Sequence, residues 1–177
     1  MSDQQKINIA EQRVQQIIDQ VINFWLAQNK AIDTFLNQHP DEVYLQEVAP
    51  GRNRAVYVLA HLIATNDGLL PLFGFGEKLF PEIAPLATEG ESAVDFELSF
   101  KDLKKQWESL NLFLEKRFRE LTPEEWLGKH NSVSDADFLL DPQRNKLNVL
   151  INRASHQNYH RGQLIFLNER KVLAKLS

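Results

Sequence analysis

Apolar side chains recurring at steps of three and four residues narrow most what this chain can become. Val14, Ile17, Ile18, Val21, Phe24, Trp25, Ile32, Phe35 and Leu36 keep that step from about Asn8 to Leu36, which predicts one long amphipathic helix. It should stop before His39-Pro40, because proline disfavours a helical residue ahead of it. After a Pro50-Gly51 turn, Asn53 is placed to cap a second helix through Ala55, Val58, Leu59, Leu62 and Ile63 to about Leu70, where Pro71 should end or kink it. A third helix is expected from around Asp95 or Ser99, with Phe100, Leu103, Trp107, Leu110, Leu114, Phe118 and Leu121 at near-heptad spacing. Thr122-Pro123-Glu124-Glu125 then starts a short helical turn through Trp126 and Leu127. The last helix, capped by Asp141-Pro142, carries Leu147, Leu150, Ile151, Ala154, Leu164, Ile165 and Leu167 and should run to about Val172. No segment reads better as a strand than as a helix. The expected fold is therefore all-α: a single domain over residues 1–177, a four-helix bundle with a long crossover between helices two and three. That connection, residues 72–92, includes Gly74, Gly76, Pro81, Pro85 and several large apolar side chains. A crossover capping the bundle and a functional lid fit it equally well.

Composition excludes several classes of function. A net charge of −4 and a pI near 5.7 argue against a general nucleic-acid binder, which would carry a basic stripe. The absence of cysteine removes disulfides, thiolate-bound zinc and a cysteine nucleophile. Met1 to Lys6 lacks the apolar core of a signal peptide, and no apolar run approaches the ~20 residues of a membrane span. A cytoplasmic protein, not attached to a membrane, is the expectation.

Chemistry concentrates in the stretch from Asn152 to Gln163. His156 and His160 lie four residues apart, so they share one helical face and can chelate one divalent ion. Two histidines on a solvated face would look the same, and His61, among apolar neighbours in the second helix, alone fits a core histidine. In a bundle the three can converge and supply neutral nitrogens while leaving coordination positions open, as a reactive site requires. Gln163 lies one turn past His160, Asn152 one turn before His156, and Tyr159 at the edge of that face. Each could orient an imidazole or reach a ligand, although spacing alone fixes no partner. Arg161 points elsewhere, as a salt-bridge partner would. Gly162 costs about 1 kcal/mol relative to alanine, which is tolerable where another helix approaches closely. His39 reads as a cation at a helix end, and His130, in a polar loop over residues 128–143, as solvent-facing. A zincin motif is excluded because Gln157 stands where its glutamate base should be. A ferritin-like centre is excluded because no histidine has glutamate three residues before it. There is no phosphate-binding glycine loop and no nucleophile-elbow motif.

A single histidine in Ala60-His61-Leu62, with His156-x-x-x-His160-Arg161-Gly162-Gln163 late in the chain, resembles the DinB/YfiT-like superfamily. The resemblance covers nearly the whole length, to about Arg170, and includes the stretch from Asp67 to Glu77. It implies a four-helix bundle, frequent homodimers, and a divalent metal, often nickel or zinc, on His61, His156 and His160. Relatives include S-transferases and isomerases that use low-molecular-weight thiols such as bacillithiol, mycothiol or glutathione. Many relatives have no known activity. Tyr159 departs from the small or acidic residues commoner before the last histidine. The resemblance thus implies a metal-dependent thiol transferase or hydrolase acting on small electrophiles. The competing readings are a non-catalytic, stress-associated metal-binding dimer and a plain bundle whose histidines belong to its core.

Overall fold

The computed structural model describes residues 3–90 and 99–167. Among them the chain forms seven α-helices: α1 (Asp3–Leu36), α2 (Ala55–Asp67), α3 (Leu69–Phe73), α4 (Phe100–Glu120), α5 (Pro123–Leu127), α6 (Asp135–Leu140) and α7 (Lys146–Leu164). Two 3-10 helices, Asp41–Leu45 and Pro81–Ala87, lie in the connections. No strand is present among the described residues; there are two isolated bridges, Glu47 with Arg54 and Lys129 with Asn145. The long helices close a ring in which α1 packs on α7 and α4, and α2 packs on α4 and α7.

The three-and-four pattern explains which faces meet. Ile18, Ile22, Trp25, Ile32 and Leu36 of α1 are buried, as are Phe100, Leu103, Trp107, Leu110, Leu114 and Phe118 of α4. α1 begins earlier than its apolar pattern because Gln4, Gln5 and Lys6 are good helix formers that carry no apolar signal. α2 is apolar nearly all round, and all its residues except His61 are buried, so it is the central helix. The sequence expectation that no segment is long and apolar enough to span a membrane needs correcting. Ala55–Phe73 reaches that length and hydropathy, but 78% of it is buried inside the fold, which accounts for its apolarity.

Several helix ends differ from expectation. Asn53 does not cap α2: the cap is Arg54, in extended backbone and without a side-chain cap bond. Pro71 lies inside α3, and the break falls at Gly68, because the proline offers no N–H to the Asp67 carbonyl one turn earlier. Ser99 caps α4 by accepting from the Asp102 amide, whereas Asp95 lies outside the described residues. The reciprocal capping box of Thr122 and Glu125 forms as expected, and Trp126 behind it is fully buried. Asn145, not Asp141, caps α7 by accepting from Asn148. Asp141 instead ends α6, a helix missed because none of its residues is buried and it carries no apolar periodicity. α7 ends at Leu164, short of the expected Val172: a turn follows at residues 165–166, and residues 168–172 lie outside the described residues.

Candidate metal centre

His61 is the one α2 residue that escapes full burial, and it faces the α7 stretch that holds His156 and His160. The Nε2 atoms of His61 and His156 are 3.1 Å apart, and those of His160 and His156 are 3.0 Å apart. Together the three histidines offer ligand atoms that all lie within 4.8 Å of one another, a group able to hold a metal ion. Nitrogens about 2.1 Å from one shared ion are separated by about 3 Å when they occupy adjacent coordination corners, which the observed spacing matches.

Hydrogen bonds at the far side of two rings decide which nitrogen is free. His61 Nδ1 lies 2.6 Å from the Leu86 carbonyl oxygen, which can only accept, so Nδ1 carries the proton and Nε2 a lone pair. His160 Nδ1 donates to Gln163 Oε1 at 2.8 Å, which leaves its Nε2 free in the same way. His156 stands between them with its Nδ1 buried and without a hydrogen-bond partner. Whichever tautomer it takes, one proton cannot lie between all three Nε2 atoms. Lone pairs therefore face one another across about 3 Å, an arrangement a cation relieves.

Burial also keeps the rings neutral. It lowers the pKa of His156 from 6.5 to about 4, with further lowering from His160, Arg153 and His61. His160 is likewise lowered to about 4 by burial and then by His61, against a raising contribution from Gln163. His61 is lowered by burial, which outweighs its bond to Leu86. Neutral imidazole is the ligand form, so at neutral pH no proton competes for the site.

The Leu86 carbonyl is carried by a chain of contacts starting on α2 itself. Asp67, buried at the end of that helix, accepts from the Leu79 and Phe80 amides at 2.8 and 2.9 Å. Those bonds fix the entry to Pro81–Ala87, whose Ile83 and Leu86 side chains are buried against the core. The Tyr57 hydroxyl donates to the Glu89 carbonyl at 2.9 Å and pins the exit. This part of the connection is therefore packed and anchored, and it holds the His61 ring in place.

Of the other residues singled out in the sequence, Gln163 reaches the cluster directly. Tyr159 is exposed, with its ring edge-on to His160 at 5.1 Å between centroids. Asn152 is exposed and makes no side-chain hydrogen bond to a described residue. Arg161 forms no salt bridge with a described residue but donates to Gln28 across the α1–α7 contact at 3.1 Å. Gly162 faces open space, so close helix approach is not the reason for it. His130 is half-buried, not solvent-facing, with Nδ1 enclosed and unpartnered, and it is not one of the clustered histidines. Sequence reasoning missed Asp67 and Leu86 as supports. A backbone carbonyl leaves no residue-type signal, and a buried aspartate at a helix end is recognisable only once its two amides are placed.

No family model matches the chain, and no curated protein matches its sequence. The fold and site therefore define it by geometry: a protein all-helical over its described residues, with a half-buried three-histidine group that could hold a metal ion.

Proposed function

We propose that this chain is a four-helix bundle of the DinB/YfiT type in which His61, His156 and His160 hold one divalent ion, nickel or zinc. We further propose that it is a metal-dependent enzyme that transfers a low-molecular-weight thiol, or water, to a small electrophile, and that it works as a cytoplasmic homodimer. The observation that carries the reading is the set of three Nε2 atoms facing one another, two with the opposite nitrogen committed to a fixed acceptor. A divalent ion on three neutral ligands keeps its full charge and makes a bound thiol or water more acidic near neutral pH.

The protein's own residues supply the rest. Leu86 and Gln163 hold the His61 and His160 tautomers, and the neutral histidines add no charge that would weaken the ion's pull. In the transfer itself a carbon–sulfur bond forms as the carbon–leaving-group bond breaks. The leaving group departs with the bonding pair, and the thiol proton passes to solvent. One observation favours a non-catalytic metal-binding dimer instead: no carboxylate among the described residues is one of the charges acting on the three histidines. Metal analysis of the purified protein should find about one divalent ion per chain, and a thiol-transfer assay with a halogenated aromatic should be metal-dependent. Metal without transfer across several thiols would leave the non-catalytic reading. Absence of metal, with none taken up on titration, would end both.

A further inference from the structure

Arg153 lies one turn before His156 on α7, at the three-then-four spacing that puts residues 153, 156 and 160 on one face. Its positive charge acts on both His156 and His61, in keeping with that shared face. Its Nε is enclosed and has no hydrogen-bond partner, and it forms no ion pair with a described residue. The charges acting on the three histidines are one another and Arg153, with no described carboxylate among them. Burial lowers the Arg153 pKa to about 10, which still leaves it charged at neutral pH. A partly buried cation with its Nε enclosed and no counter-charge among the described residues favours an anion nearby, and a metal ion beside it would add to the positive field.

We infer that Arg153 is the binding residue for a carboxylate on the small molecule that occupies the three-histidine site, so that the ligand class is anionic. The guanidinium fork matches a carboxylate through parallel N–H donors, and a ligand anchored there presents its other end to His156 one turn away. A phosphate ester fits less well, since Arg153 is the one arginine among the charges acting on the histidines and the sequence has no glycine-rich loop of backbone amides to share a dianion. The inference rests on the proposed metal and thiol reading for what the ligand's other end does, but the carboxylate contact can be measured separately.

The test uses the full chain loaded with cobalt, whose near-ultraviolet absorption reports thiolate binding. Mercaptopropionate, which carries a carboxylate, is compared with mercaptoethanol, which does not. The wild type should bind the former at least about tenfold more tightly, the range expected for a charge-assisted contact. Arg153→Met should remove that preference while metal content and mercaptoethanol binding stay unchanged, and Arg153→Lys should restore part of it. A second arm reads the arginine alone: propionate should raise the Tm of the wild type and not that of Arg153→Met. If both thiols bind equally to the wild type, or the preference survives in Arg153→Met, the carboxylate assignment is wrong and the thiol reading stands. If neither thiol changes the spectrum while propionate protects only the wild type, the thiol reading fails and the anion site stands. An unstable Arg153→Met protein is replaced by Arg153→Gln, which keeps polar atoms at the position and should also lose the preference.

Discussion

His156 is held less well than its two partners. His61 and His160 each give one ring nitrogen to a fixed acceptor, whereas His156 Nδ1 is buried with none. It should therefore gain most when an ion arrives and suffer most from protonation. A histidine whose pKa is lowered on folding takes up protons more readily when unfolded. Its contribution to stability is complete above its ordinary value of 6.5 and is lost as pH falls toward about 4. Metal-free protein should accordingly show a denaturant midpoint that drops steadily between those two pH values, and His156→Gln should flatten the slope. An unchanged slope in that variant would assign the acid sensitivity to other groups. Under the metal reading, His160→Ala should lose most metal affinity and His130→Ala none. Gln163→Ala should keep measurable metal while losing about 10–100-fold in affinity or activity, as expected when the acceptor behind a ligand is removed. Metal content of the three variants, set beside one activity, checks all three outcomes, and equal metal in the His160 and His130 variants would remove the site assignment.

Much of the helical layout was legible because burial writes itself into spacing. The α4 stripe from Phe100 to Phe118 is buried as its near-heptad pattern required, and the Thr122–Glu125 box forms from residue types alone. Helix ends were less legible. Arg54 caps without a side-chain cap bond, and Asn145 competes with a nearby Asp141 that offers the same oxygen chemistry. The histidines could be grouped from their spacing and the expected fold, but the element that orients His61 could not. It depends on two amides meeting Asp67, a contact between residues twelve and thirteen apart whose partners share no pattern. Asp67→Asn replaces one acceptor oxygen with a donor facing a backbone N–H. The variant should lose about 1–3 kcal/mol of stability by denaturant titration. Under the metal reading it should also bind metal more weakly in a chelator competition although all three histidines remain, and undiminished affinity would separate the Pro81–Ala87 segment from the site. Gly162→Ala should act in the opposite direction. A Cβ there meets open space, so the variant should gain about 1 kcal/mol from helix propensity alone.

At the scale of the whole molecule, the outside of α1 is the surface to test for assembly. Ile17 and Phe24 lie seven residues apart on one face of that helix and stay 53% and 45% exposed. The proposed homodimer could cover them. Light scattering at micromolar concentration should then give twice the chain mass, and the double change Ile17→Asp with Phe24→Asp should give a monomer. A wild-type monomer would remove the dimer, and a dimeric double variant would move its interface elsewhere. The histidine cluster has a consequence for the fold as well as for chemistry. His61 and His156 are separated by 95 positions in a chain that has no cysteine. An ion gripping both would act as a reversible staple, closing a loop that spans more than half the polypeptide and restricting the unfolded chain as a disulfide does. Because such an ion binds the folded form selectively, a hundredfold excess over its Kd would add about 2.7 kcal/mol. The melting temperature should therefore climb with metal concentration and fall on chelation, and a His160→Ala chain should respond to neither. A protein without thiols would in this way carry a cross-link set by metal supply, not by the redox state of its surroundings.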